Sequence, residues 1–301
     1  MNTTTEQDHA RQLQEVTRSL FLGIVPERQD ELTQYWTDFG PRFQILDDCG
    51  PDGSLIMDAG GFFIIRFNHR MMRLFWLASF LLWEGYTAQH QSVTTETLDL
   101  ARFRQILNCF EATRAARDVD TVPWPADIPL PGVLVDHVAG DPARVGGELA
   151  IFSVGWALLH ELRHLIHQQQ QTSAPVGDEE LSRQEELSCD AFATRFLLER
   201  VNEYAHAQGN EPAAVSEKRQ MGIYCALYAI TLLTKENWED TATHPAMQSR
   251  IRNVLAIIES HGVSVTANVI AVAAFESLNA VYPNAPDPLS GEVVEIARRE
   301  T

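Results

Sequence analysis

Apolar residues recur at helical spacing along most of this chain. Leu13, Val16, Leu20 and Phe21 mark a helix within the first forty residues, and Pro26 closes that run. A short β region follows, in which Ser54–Asp58 and Phe62–Phe67 flank an Ala-Gly-Gly turn and read as a hairpin. Helices are predicted from about Asn68 to Ala88 and from about Thr95 to Arg117. Prolines at 123, 125, 129 and 131 forbid helix in Val122–Gly132, which is therefore a loop or extended linker. Gly132–Val138 reads as one strand. The strongest helical pattern spans Glu148–Gln170, where Val154, Trp156, Ala157, Leu158, Leu159, Leu162, Leu165 and Ile166 are apolar almost all round, the mark of a buried helix. After a loop at Gln171–Asp178 come helices over Leu181–Ala207, Glu217–Thr234, Ala246–Ser260 and Val265–Asn279, then a loose tail from Pro283. The expected fold is α+β, predominantly α-helical with a small β-sheet. The Pro-rich stretch divides it into an N-terminal helical region with a β-hairpin (1–121), a core (122–282) and a C-terminal tail (283–301).

Composition narrows the partners. With 301 residues, 45% apolar and 21% charged, the chain is of ordinary globular type, neither disordered nor a disulfide scaffold. Twenty-three basic against 41 acidic residues leave a net charge of −18, with no run of Lys or Arg to offset it. Such a surface repels phosphate backbones and anionic bilayers, so neither nucleic acid nor membrane is expected as a partner. Phe62–Leu82 is apolar but carries Arg66, Arg70 and Arg73, and the uncharged run Met221–Thr234 is fourteen residues, short of the ~20 that span a bilayer. Both read as buried helices. Four cysteines without a CxxC pair and a polar N-terminus point to reduced thiols in the cytoplasm.

The chemistry is concentrated in His160-Glu161-Leu162-Arg163-His164, an HExxH inside the strongest helix. Spacing i, i+4 puts two imidazoles on one helical face, where both reach a single ion, and Glu161 beside the first can take a proton from a water at that ion. Two core histidines bonded to backbone would give the same letters, so the third ligand matters. A continuation HxxGxxH is ruled out because 167 is His and 170 is Gln; His167 reads as a surface or loop-contact residue. A second helix instead supplies Glu186, twenty-two positions after His164, with Asp190 one turn further on. Glu186 is then the metal ligand, and Asp190 accepts the free N–H of a ligating imidazole. Ser182 and Glu185 read as a capping box, which gives Glu185 a structural task and leaves Glu186 for the metal. His244, in Thr243-His244-Pro245, is the candidate donor to an oxyanion, and Arg250 the second choice. Zn2+ is the expected cofactor.

HELRH followed by EELSCDAFA resembles the gluzincin peptidases, whose pattern is HExxH plus an E-x-x-x-D helix; Cys189 stands where that pattern usually has Ala. THPxxxxRI over Thr243–Ile251 is similar to a string in membrane-bound members of that clan, whose transmembrane helices are absent here. Among soluble members the chain most resembles the peptidase family of the phage-exclusion protein Lit. That resemblance implies a zincin-like catalytic domain with a small sheet beside the HExxH helix, and zinc-dependent cleavage of a host protein. It names translation elongation factor Tu as substrate and a phage-derived peptide as activator. Two other readings stay open: a small-peptide aminopeptidase, and a protein that uses zinc structurally to bind a phage or host partner without turnover.

Overall fold

The computed structural model describes residues 17–39, 42–46, 55–60, 64–133 and 141–286. A helical stretch at 17–23 (α1) leads through a 3-10 turn at Pro26–Arg28 into α2 (Gln29–Phe39). A three-stranded sheet follows, with β1 (Arg42–Leu46) parallel to β3 (Ile64–Asn68) and β2 (Met57–Gly60) antiparallel to β3 at the other side. The β2–β3 pairing agrees with the predicted hairpin. The parallel strand β1 is an addition that helical periodicity in the first forty residues gave no reason to expect, since it pairs with a strand some twenty residues away. Of the expected strand at Gly132–Val138, Gly132 lies in a turn and Val133 is irregular, and residues 134–138, like most of the expected tail, lie outside the described residues.

The remaining described elements are helical. Asn68 caps α3 (His69–Thr95) by accepting from Met71 N–H at 3.1 Å. After α4 (Ala101–Ala115), the Pro-rich stretch is irregular and lies against α3, with Trp76 Nε1 donating to Pro129 O at 2.8 Å. Asp141 caps α5 (Pro142–Gln170) and Pro142 occupies its first position, so this helix starts six residues before the apolar pattern does. Then come α6 (Glu179–Leu198), α7 (Val201–Gln208), α8 (Pro212–Leu233), α9 (Met247–Ser260) and α10 (Val265–Asn279).

The sequence reads Leu181–Ala207 as one helix, whereas the chain breaks between α6 and α7. The cause is tertiary: Arg28 donates to Phe196 O at 3.2 Å and Arg219 to Leu197 O at 2.7 Å, so guanidinium groups from other elements satisfy the last carbonyls of α6. The N-terminus of α6 also differs. Asp178, not Ser182, is the cap, accepting from Leu181 N–H at 3.0 Å; Ser182 lies inside the first turn and donates to Asp178 O.

At the centre of the fold is α5, flanked by α3, α6 and α8, with β2 against it and α9 behind α6. A continuous apolar core includes Phe21, Leu77, Phe110, Leu159, Tyr228 and Phe275, on both sides of the Pro-rich stretch. Gly222 lets α8 approach α5: a Cβ there would sit 2.2 Å from Phe152 Cβ. By length and composition α5 is the described helix apolar enough to cross a bilayer, but 72% of its apolar window is buried by the rest of the protein. It is the core helix, and it carries HELRH.

Candidate metal centre

α5 turns His160 and His164 toward α6, with ring centroids 5.0 Å apart. Each ring has its Nδ1 tied to a carboxylate of α6. His160 Nδ1 lies 2.9 Å from Asp190 Oδ1, and His164 Nδ1 lies 2.8 Å from Glu185 Oε1. Carboxylates accept, so both rings carry a proton on Nδ1, and in the neutral form each points a lone pair from Nε2. What those lone pairs face is Glu186: Oε2 is 3.3 Å from His160 Nε2 and Oε1 is 3.2 Å from His164 Nε2. Glu186 is buried, and its Oε2 has no hydrogen-bond partner.

With protons on Nε2 the two rings pair with Glu186; with neutral rings the three groups are acceptors at a range that suits a cation. The charges say the same. Glu161, Glu185, Glu186 and Asp190 surround the centre, against the guanidinium of Arg250 among the described residues. Burial alone would push the His160 imidazolium down, yet Asp190 and Glu186 overcome it and raise it to about 10. His164 is raised in the same sense, against burial, by Cys189 and the two glutamates. Burial would raise Glu186; the two imidazoles, and then Arg250, hold it well below the usual carboxylate range. The donor set fits a divalent ion with nitrogen and oxygen ligands.

The supports differ from the expected ones in two places. Glu185 is no capping residue: with Asp178 as cap it falls in the second turn of α6, facing His164, and its Oε2 accepts from Ala174 N–H at 2.6 Å. Arg250, from α9, does not stand free for an oxyanion. Its Nε donates to Asp190 Oδ2 at 2.9 Å and its Nη2 to Oδ1 at 2.7 Å, so it acts through Asp190 on His160. Asp190 is thus placed on His160 as its spacing implies, and fully buried.

His244 reaches the centre from the loop before α9. Its Nε2 is 3.6 Å from Glu186 Oε1, its Nδ1 is 2.8 Å from Thr243 Oγ1, and the side chain is half exposed. Burial lowers its pKa. His167 faces away and uses both ring nitrogens on hydroxyls, Thr172 Oγ1 at 2.8 Å and Ser188 Oγ at 2.9 Å. Glu161 lines the open side of the centre. Burial raises its pKa, opposed by the two histidines and by the backbone N–H of Ala59 in β2. Sequence reasoning also passed over Cys189. It is fully buried, and His160, His164 and Cys189 together form a group able to hold a metal, with ligand atoms within 4.8 Å of one another. The spacing i, i+3 from Glu186 could have drawn attention to it.

A cavity of about 530 Å³ opens over the centre. Its floor is His160, Glu161, His164 and Glu186; Met57 and Ala59 form one side, and Trp238, Thr241 and His244 the other. The pairing register and the bond from Asn68 N–H to Ile56 O (3.1 Å) turn the peptide groups of Met57 and Ala59 away from β3, toward this cavity.

The chain is 30% identical over 131 residues to the cell death peptidase of Escherichia coli (strain K12), which covers 42% of this chain and 38% of that protein. The chain therefore matches less than half the length of this curated relative. No solved structure matches. The profile of the Peptidase U49 family matches residues 65–271, more than two thirds of the chain. That span contains His160, Glu161, His164, Glu185, Glu186, Asp190, His244 and Arg250, and the chain belongs to the Peptidase U49 family.

Proposed function

We propose that this chain is a zinc-dependent endopeptidase of gluzincin type with a zincin-like catalytic domain, acting on a protein in the cytoplasm. The observation that carries the reading is the convergence of His160 Nε2, His164 Nε2 and the Glu186 carboxylate at 3.2–3.3 Å, with both Nδ1 atoms held by carboxylates behind them. Bound zinc supplies Lewis acidity and brings the pKa of a coordinated water from 15.7 toward about 7. Glu161, whose burial raises its pKa, takes the proton from water and passes it to the leaving amine. His244 donates to the oxygen of the tetrahedral intermediate from the opposite wall. Asp190 and Glu185 keep the two rings in the tautomer that leaves Nε2 free. The substrate lies extended along the outward edge of β2 and pairs with the peptide groups of Met57, while those of Ala59 are held by Glu161 and by Gln168 Nε2.

Glu161→Gln is the test of this reading. It should retain zinc and lose peptidase activity by about 10²–10⁴-fold, the range a general base contributes. Comparing the proteomes of cells expressing wild type and Glu161→Gln reveals the substrate as a fragment made by wild type alone. Following the family resemblance, elongation factor Tu is the first substrate to examine, with a phage-derived peptide as activator and phage exclusion as the setting. The relative's name, cell death peptidase, agrees with a peptidase whose action is tied to cell death. The alternative of a zinc-holding binding protein is favoured if Glu161→Gln and wild type leave identical fragments while both retain zinc. An aminopeptidase would cleave free peptides and spare blocked ones.

A further inference from the structure

The loop between α5 and α6, residues 171–178, is held by hydrogen bonds and hardly by packing. Val176 at its tip is fully exposed, and Ala174 and Asp178 are the only loop residues that are partly buried. Apart from Asp178, which caps α6 at the end of the loop, the anchors are few. Thr172 N–H donates to His167 O at 2.9 Å, Thr172 Oγ1 lies 2.8 Å from His167 Nδ1, and Ala174 N–H donates to Glu185 Oε2 at 2.6 Å. The last anchor is shared with the metal centre, because the other oxygen of Glu185 accepts from His164 Nδ1 at 2.8 Å. One side chain answers both to the backbone of an exposed loop and to an imidazole of the donor set.

We propose that Glu185 is a positioning residue that couples the conformation of loop 171–178 to the metal affinity of the centre. The inference rests on His160, His164 and Glu186 being the ligands. With Ala174 N–H bonded, the Glu185 carboxylate is fixed in the rotamer that orients His164. When the loop lifts, Glu185 loses one of its two bonds and regains rotamer freedom, and the hold on the ring weakens. The reverse also follows. A cation on Nε2 makes Nδ1–H a stronger donor, draws Glu185 into the same rotamer and so retains Ala174. Linkage requires the two effects to be equal in free energy. A loop with so little buried apolar surface opens easily, which lets the centre be tuned from the protein surface.

The test uses the full chain and zinc. Amide hydrogen exchange at Ala174 is measured with one equivalent of zinc and with a chelator, and zinc affinity is measured by chelator competition for wild type and Ala174→Pro. That substitution removes the donor and touches no ligand. Zinc should slow exchange at Ala174 by about tenfold while leaving Asn210, capped at the far end of α7, unchanged; Ala174→Pro should bind zinc about tenfold more weakly, at the low end of what outer hydrogen bonds contribute. Zinc-independent exchange at Ala174 overturns the coupling, and so does Ala174→Pro binding zinc within about twofold of wild type. Should Ala174→Pro fail to fold, the exchange measurement on wild type decides alone. A chain that binds no zinc, or a Glu186→Ala variant with undiminished affinity, overturns the ligand assignment as well as the coupling.

Discussion

The two imidazoles of the metal centre lean on supports of different kinds. Behind His160 stands Asp190, fully buried and gripped twice by Arg250, so that α5, α6 and α9 meet in one fixed arrangement. Behind His164 stands Glu185, part exposed, whose second oxygen is spent on a loop amide. The chemistry is the same on both sides, a carboxylate on Nδ1. The difference lies in what fixes the carboxylate: core packing on one side, a lightly held loop on the other. A site assembled this way holds one imidazole rigidly and, on the proposed coupling, leaves the other responsive to the loop.

Breaking the rigid side should have the larger effect. Arg250→Leu leaves Asp190 buried without its guanidinium, a loss of about 3–5 kcal/mol in urea unfolding, because the charge left behind is uncompensated. Glu185→Gln keeps an acceptor toward His164 but removes a mostly buried carboxylate and its charge-assisted bond to Ala174 N–H, so it should cost about 1.5–3 kcal/mol. Equal losses for the two variants would dissolve the asymmetry.

The contrast also explains what the sequence could and could not disclose. HELRH and Glu186 are visible because their geometry is set by one helix and by a fixed offset to the next. Asp190 follows from Glu186 by helical spacing. Glu185 is misread because a local rule, the capping box, competes for the same residue, and only the earlier cap at Asp178 releases it. Arg250 belongs to α9, sixty positions from Asp190, and no local pattern links them. The end of α6 is hidden for the same reason: the groups that satisfy its carbonyls come from Arg28 and Arg219. Helices with strong apolar faces were legible, but not all their ends: α3 runs on to Thr95 instead of ending near Ala88, and α4 starts at Ala101 instead of near Thr95. Breaks and partnerships made across the fold were not.

Acidity sharpens the comparison further. In the metal-free chain His160 is raised to about 10, above its unfolded value of 6.5. Its contribution to stability is therefore complete below about pH 6.5 and is lost as pH rises toward 10. Glu186 runs the other way: its folded pKa lies well below 4.5, so its contribution is present above that value and is lost as pH falls through the folded one. Zinc needs Nε2 unprotonated, so its binding strengthens as pH rises. The difference in Tm between zinc-loaded and chelator-treated protein should widen from about pH 6 to pH 9. Thermal melts across that range measure it, and a constant difference would mean that no imidazole proton is exchanged for the ion.

The smallest effect is expected at Cys189, where the two sides meet. Its sulfur lies within 4.8 Å of ligand atoms on both histidines, close enough to compete with Glu186 for the third place. Direction decides against it. Both Nδ1 atoms are committed to carboxylates, and the free Nε2 atoms face the glutamate. Cys189→Ala should then change zinc affinity less than an outer hydrogen bond does, by under about tenfold, and cobalt-substituted wild type should show no thiolate-to-metal absorption. A loss beyond about a hundredfold, or that absorption band, would put sulfur in the donor set in place of the Glu186 oxygen. The centre would then favour softer ions over zinc, and the unpartnered Oε2 of Glu186 would need another explanation.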